Sequence, residues 1–164
     1  MWRSIARYRI RVFWVVVWMI VGSALAACSP PADSPEAEVR ALVAQAQAAA
    51  EARNVRDLRG LIADEYADAH GHDRKAVENL IRLQVLRNQS VHLFTRIRDI
   101  TFPEPDRATV SVAAALAGRP VARADDLVGL TADLYRFDLD LVRNGGEWRV
   151  SSAAWAPARL EDFW

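Results

Sequence analysis

Cysteine is nearly missing from this chain: Cys28 is the only one among 164 residues. That excludes an intramolecular disulfide, so packing alone must hold the fold, even in an oxidising compartment. Histidine is almost as scarce, with three residues, and Lys75 is the only lysine. No Gly-x-Ser-x-Gly nucleophile motif occurs, and no glycine-rich loop is present to cradle a phosphate. Nothing in the sequence calls for a cofactor or a resident metal. Acid is missing from the start of the chain, where Arg3, Arg7, Arg9 and Arg11 precede the first carboxylate, Asp33.

What is present at that start is a continuous apolar run from Val12 to Val21, then Gly22-Ser23-Ala24 and Leu25-Ala26-Ala27-Cys28. A positive region, a short apolar region and small residues describe a secretory signal. The run is short of the roughly 20 apolar residues that span a bilayer. Leu25-Ala26-Ala27-Cys28 resembles the bacterial lipobox, which implies cleavage between Ala27 and Cys28 and acylation of Cys28. The alternatives are an uncleaved anchor or an ordinary secretory signal with an incidental cysteine. Acylation also accounts for a lone cysteine that otherwise needs an intermolecular partner or a reactive role. Ser29, where an aspartate is missing, resembles the pattern sorted to the outer rather than the inner membrane of a Gram-negative cell. The expected location is the periplasmic face of the outer membrane, with the bilayer itself as a partner.

The expected organisation is a signal over 1–27, a lipidated tether over 28–35, one domain over 36–157 and a tail over 158–164. Removing the signal takes four of the 21 basic residues and none of the 21 acidic ones, leaving 17 against 21. A mature domain with excess acid argues against nucleic-acid binding, which needs a basic patch. Ser29-Pro30-Pro31-Ala32-Asp33-Ser34-Pro35 reads as an extended spacer.

Ser34, Pro35 and Glu36 read as an N-cap, a first-turn proline and a first-turn acid. Val39, Leu42, Val43, Ala46 and Ala50 then recur at helical spacing, predicting a helix over about 35–52 with Glu38, Arg40, Gln45 and Gln47 on its polar face. Asn54 and Asp57 predict a capped second helix that fades near Asp64, with Val55, Leu58, Leu61 and Ile62 on its apolar side. Asp73 caps a third, striped by Val77, Leu80, Ile81, Gln84 and Val85 and ending at Asn88 or Gln89. From Ser90 the period becomes two. Val91, Leu93, Thr95 and Ile97 oppose His92, Phe94, Arg96 and Arg98. Pro103-Glu104-Pro105-Asp106 predicts a turn, 107–117 a second strand, and Gly118 to Gly129 a loop. Tyr135, Phe137, Leu139 and Leu141 oppose Arg136, Asp138 and Asp140 on a third strand, with the aspartates toward solvent. Asn144-Gly145-Gly146 forms a tight hairpin to a fourth strand, Glu147 to Trp155.

Helices followed by an antiparallel meander make an α+β order: three N-terminal helices on a curved sheet of about four strands. Asn54 to Tyr66, Gly71-His72-Asp73-Arg74-Lys75, and Leu139 to Val150 with its Gly-Gly-x-Trp turn resemble the nuclear transport factor 2-like cone. That family includes ketosteroid isomerases, polyketide cyclases and dehydratases, and the resemblance spans nearly all of 36–157. It implies an apolar hollow and, in the family's enzymes, an acid or an Asp/His pair inside it.

Asp64, Glu65, Tyr66, Asp68, His70, His72 and Asp73 crowd one loop. Carboxylates beside histidines can serve as general acid and base if burial brings their pKa values toward neutrality. The preferred reading is a solvated loop before a helix cap. His70 and His72 with Asp68 or Asp73 are chemically suitable metal ligands, but no further histidine motif supports them. If the sheet's outer face makes a homodimer contact instead, Arg136 and Asp138 pair across it. Phe163-Trp164 is either a tail docked on the sheet or a frayed end. The leading expectation is a membrane-tethered module that binds a small apolar ligand or an envelope protein without catalysis. The alternative is an isomerase-, cyclase- or dehydratase-like enzyme using Asp64, Tyr66, Asp68, His70 or His72.

Overall fold

The first helix, α1 (Pro35–Glu51), starts where its cap demands: Ser34 Oγ accepts from the Ala37 N–H at 3.1 Å. In the computed structural model, residues 34–87 and 92–164 are described. The signal, Ala27, Cys28 and the rest of the tether up to Asp33, the expected helix end at Asn88 or Gln89, and Val91 lie outside them. The described residues fall within one compact unit, Asp33–Trp164.

Arg53 closes α1 in the left-handed region, with φ 56°. Its N–H bonds to Ala50 O and the Asn54 N–H to Ala49 O, which satisfies the last carbonyls of the helix. Asn54 then caps α2 (Val55–Gly60), accepting from the Asp57 N–H and donating to its carboxylate. This helix stops before Asp64, because Leu61 and Ile62 leave it to join the sheet: Ile62 makes a parallel bridge to Val150. Asp73 caps α3 (Arg74–Arg87) through the Ala76 N–H at 2.8 Å.

The sheet is a four-stranded antiparallel meander in the order β1 (His92–Glu104), β2 (Arg107–Ala117), β3 (Ala132–Asn144), β4 (Glu147–Pro157). Strand β1 runs further than the prolines suggest, through Pro103 to Glu104, leaving Pro105-Asp106 as the turn. Proline is tolerated there because β1 is an edge strand with an irregular register between Thr101 and Glu104. The β3–β4 hairpin turns at Gly145 and Gly146, with φ 62° and 89°, values that favour glycine. The Gly118–Gly129 loop contains a short 3₁₀ turn, Ala124–Leu127.

Helix α1 lies on one face of the sheet, burying Val39, Leu42 and Val43 against Ala108, Val110, Val112, Leu141 and Trp148. Glu38, placed on the polar face by spacing, reaches back across this contact. Its carboxylate accepts from Trp148 Nε1 at 2.9 Å and Arg143 Nη2 at 2.8 Å. On the opposite face, Ala113 and Ala115 are covered by Leu127 and Phe163. The tail is therefore docked, with Phe163 1 % exposed and its ring 6.1 Å from that of Phe94. Arg136 and Asp138 pair with each other within the chain at 3.3 Å, and Ser111 donates to Asp138.

Candidate ligand-binding site

The loop after α2 is fastened to β4 before it does anything else. Val150 N–H bonds to Leu61 O, Ala63 N–H to Val150 O and Ala67 N–H to Ser151 O. The register of β4 slips here, with Leu141 opposite Val150 and Asp140 opposite Ser152, so Ser151 is the extra residue of a bulge. Its backbone is thereby free to receive the loop. Ile62 and Tyr66 are buried with Val77 of α3.

This seating turns the polar stretch partly inward, contrary to a wholly solvated loop. Asp64 stays 82 % exposed beside Arg74, and Glu65 is exposed and accepts from Asn144 of the hairpin. Asp68 does the reverse, with a side chain 0 % exposed. Its Oδ1 accepts from the His70 and His72 N–H groups at 2.9 and 3.0 Å. Its Oδ2 accepts from the Tyr66 hydroxyl at 3.1 Å and faces His72 Nδ1 at 2.9 Å. Burial pushes the Asp68 carboxyl upward, but the donors from His72, Tyr66 and His70 outweigh it and hold the pKa at about 2. Burial, and then the Asp68 charge, raise the Tyr66 hydroxyl well above its usual range, so it remains a donor.

An ionised carboxylate only accepts, so His72 Nδ1 carries the proton facing Asp68. In the neutral ring, Nε2 is then the nitrogen left for other partners. Asp68 itself is saturated and too weak a base to take a proton near neutrality. It positions the loop. Its depressed pKa gives a signed expectation: the unfolded chain binds the extra proton between pH about 4 and about 2. Stability from Asp68 is therefore complete above pH about 4 and is lost as pH falls toward about 2. Urea titrations of the wild type and Asp68→Asn should differ above that window and converge at its acid end. Parallel curves throughout would refute the assignment.

The histidines meet an aromatic side chain from β4. The Trp155 ring centroid lies 5.5 Å from that of His70 and 6.2 Å from that of His72, the latter at an interplanar angle of 21°. Trp155 pairs in register with Phe137 and so shares its face of the sheet, the face that α1 covers further along. Phe137 is 6.2 Å, ring to ring, from Tyr135 on the same face. Tyr135, Phe137, Trp155, His72 and His70 thus form one strip of rings, with Trp155 37 % exposed. Beside this strip, Gln47 of α1 donates to Leu93 O and accepts from Thr95 Oγ1 at 2.6 Å, ordering the start of β1.

The sequence gathers His70 and His72 into one loop and shows the alternation of Tyr135 and Phe137. It does not join them, because only the β4 bulge and the loop seated on it bring Trp155 to the histidines. Gln47 also lay on the wrong face by spacing alone. Among the described residues no group of three histidine, cysteine, aspartate or glutamate side chains gathers to hold a metal. Asp68 is occupied by its own loop, and Asp73 caps α3.

Neither a protein-family model nor a curated protein sequence matches the chain. Solved structures do, and they establish a nuclear transport factor 2-like α+β fold. A candidate dehydratase of that fold family from Streptomyces avermitilis is 17 % identical and superposes with a TM-score of 0.61, over 77 % of this chain and 99 % of its own. A candidate scytalone dehydratase from Novosphingobium aromaticivorans gives 0.61 at 10 % identity, covering 76 % and 84 %. A candidate calcium/calmodulin-dependent protein kinase II association domain from Thiobacillus denitrificans gives 0.60 at 19 % identity, covering 80 % and 100 %.

Proposed function

We propose that this is a membrane-anchored envelope lipoprotein whose domain binds a small, flat, apolar ligand without transforming it. The observation that carries the reading is the partly exposed strip Tyr135–Phe137–Trp155–His72–His70 on the α1-facing side of the sheet. Rings offer a large apolar contact at low entropic cost, and the polar edge of His72 adds orientation. Asp68, whose side chain is enclosed by its own loop, is consumed by internal hydrogen bonds, which supports binding over acid–base work. The anchor is acylated Cys28, and Ser29 favours the outer membrane.

The test is to incubate the purified protein with a lipid-depleted extract of its host and identify co-eluting small molecules by mass spectrometry. A ligand should appear with the wild type and fall by roughly tenfold or more with Trp155→Ala, as expected for an aromatic anchor. Failure to retain any ligand, or equal retention by both proteins, counts decisively against the reading. Radiolabelled fatty acid should enter the wild type and not Cys28→Ser.

One observation favours a second reading. His72, held through Nδ1 by a buried carboxylate beside the aromatic strip, has the arrangement of an oriented base. Neighbours of this fold are named as dehydratases, which concerns those proteins and motivates a check here. If the captured ligand changes mass on prolonged incubation, and His72→Gln stops the change while retaining the ligand, the protein is an enzyme.

A further inference from the structure

Helix α3 leaves an apolar face uncovered. Leu80, Leu83 and Leu86 are 39, 43 and 67 % exposed, at a spacing that keeps them on one side of the helix. Val77, Ile81 and Val85 take the opposite side, where Val77 and Ile81 pack with Ile62 and Tyr66. The charges are divided just as sharply. Glu78, the only acid in the helix, turns inward and pairs with Arg59 and Arg74. Lys75, Arg82 and Arg87 are exposed and flank the leucines. The outward face therefore carries three leucines and three cations and no acid, on a domain whose total charge after signal removal is negative.

We propose that this face of α3 docks on an anionic lipid surface, lying in the interfacial plane with the leucines in the headgroup–acyl boundary and the cations at the phosphates. The argument is charge complementarity combined with apolar exposure: leucines alone would suit many partners, but an acid-free cationic border around them selects an anionic bilayer. The helix lies on the membrane and does not cross it, since no helix among the described residues is long and apolar enough to span. The inference is independent of the ligand strip and of acylation at Cys28. Where Cys28 is acylated, α3 supplies a second contact that fixes which way the domain faces.

The test uses the full chain with Cys28→Ser and a single new thiol, Leu83→Cys, carrying an environment-sensitive fluorophore. A control chain carries the same fluorophore at Val128→Cys, an exposed position in the loop over the other sheet face. Phosphatidylglycerol-containing vesicles should shift the emission to the blue at 83 and not at 128, and added salt should weaken the shift. Each cation near an anionic surface contributes about a fivefold gain in partitioning, so Arg82→Gln with Arg87→Gln should weaken the response roughly 30-fold. Both arginines are exposed, and unchanged circular dichroism would verify that the fold survives. The same shift in phosphatidylcholine vesicles, or at both label positions, or no shift at all, overturns the proposal. So does a blue-shifted emission without vesicles, which means that a second copy or another segment of this chain covers the face.

Discussion

Phe163→Ala should lower the unfolding free energy by about 3–5 kcal/mol, the range for removing a fully buried aromatic side chain. The expectation is that of a core position; an exposed one would cost little. Its basis is the packing of Phe163, 1 % exposed, among Ala113, Ala115 and Leu127 with Phe94 and Leu134 alongside. The two sheet alanines beneath it are too small to reach into the space it would leave. The short 3₁₀ helix that carries Phe163, Leu160–Phe163, is held independently by Asp162, which pairs with Arg98 and accepts from the Arg159 N–H at 2.8 Å. Alanine therefore leaves the tail in place above an empty site, instead of releasing it to collapse. Urea unfolding followed by tryptophan fluorescence measures the effect. A loss below about 1 kcal/mol, the level of an ordinary surface substitution or little more, would mean that the tail is not docked.

The second large effect is expected at Asp68. Asp68→Ala removes the acceptor of four hydrogen bonds and strands the His70 and His72 N–H groups and the Tyr66 hydroxyl. A buried donor left without a partner costs about 1–3 kcal/mol, and part of that is recovered when the loop opens to water. A net loss of about 3 kcal/mol follows, smaller than the sum of the individual bonds. The signature is local as well as global. Amide exchange at residues 63–72 should accelerate more than in β2 or β3, because among the described residues the backbone of the loop bonds to β4 and not to those strands. Asp68→Asn should fall between wild type and alanine, since an amide keeps one acceptor oxygen and turns an NH₂ toward the remaining donors. An alanine variant with wild-type stability and unchanged exchange would remove Asp68 from the centre of the site.

Much of the fold is legible in the sequence because its signals are local. Ser34-Pro35, Asn54 with Asp57, and Asp73 each mark a helix start through a side chain that reaches only three residues ahead. The alternation of Tyr135, Phe137, Leu139 and Leu141 assigns their shared face, and Gly145-Gly146 sets the hairpin. What escapes are contacts between positions far apart in the chain. Glu38 and Gln47 read as solvent-facing by helical spacing, yet one clasps Trp148 and the other bridges to Thr95. The Asp68 cluster was visible only as a crowd of titratable residues. Which member turned inward depended on Tyr66 finding the α3 packing site and on a bulge at Ser151, neither of which leaves a local mark. Phe163 reads from sequence as either a docked tail or a frayed end, and its burial depends on the small residues at 113 and 115 on a distant strand.

The seating of residues 61–67 along β4 also bears on how the chain behaves when crowded. An open strand edge templates the addition of another chain, and long flat edges are where aggregation begins. Along the stretch of β4 that receives the loop, the Val150 N–H and the Val150 and Ser151 carbonyls are already taken. The opposite edge, β1, is guarded differently: it carries two register breaks, a proline without a donor at 103, and Arg96, Arg98, Asp99 and Glu104. Among the described residues, neither border offers a long, regular ladder to a second copy. Many such domains held at high local density would then stay separate without fusing into fibrils.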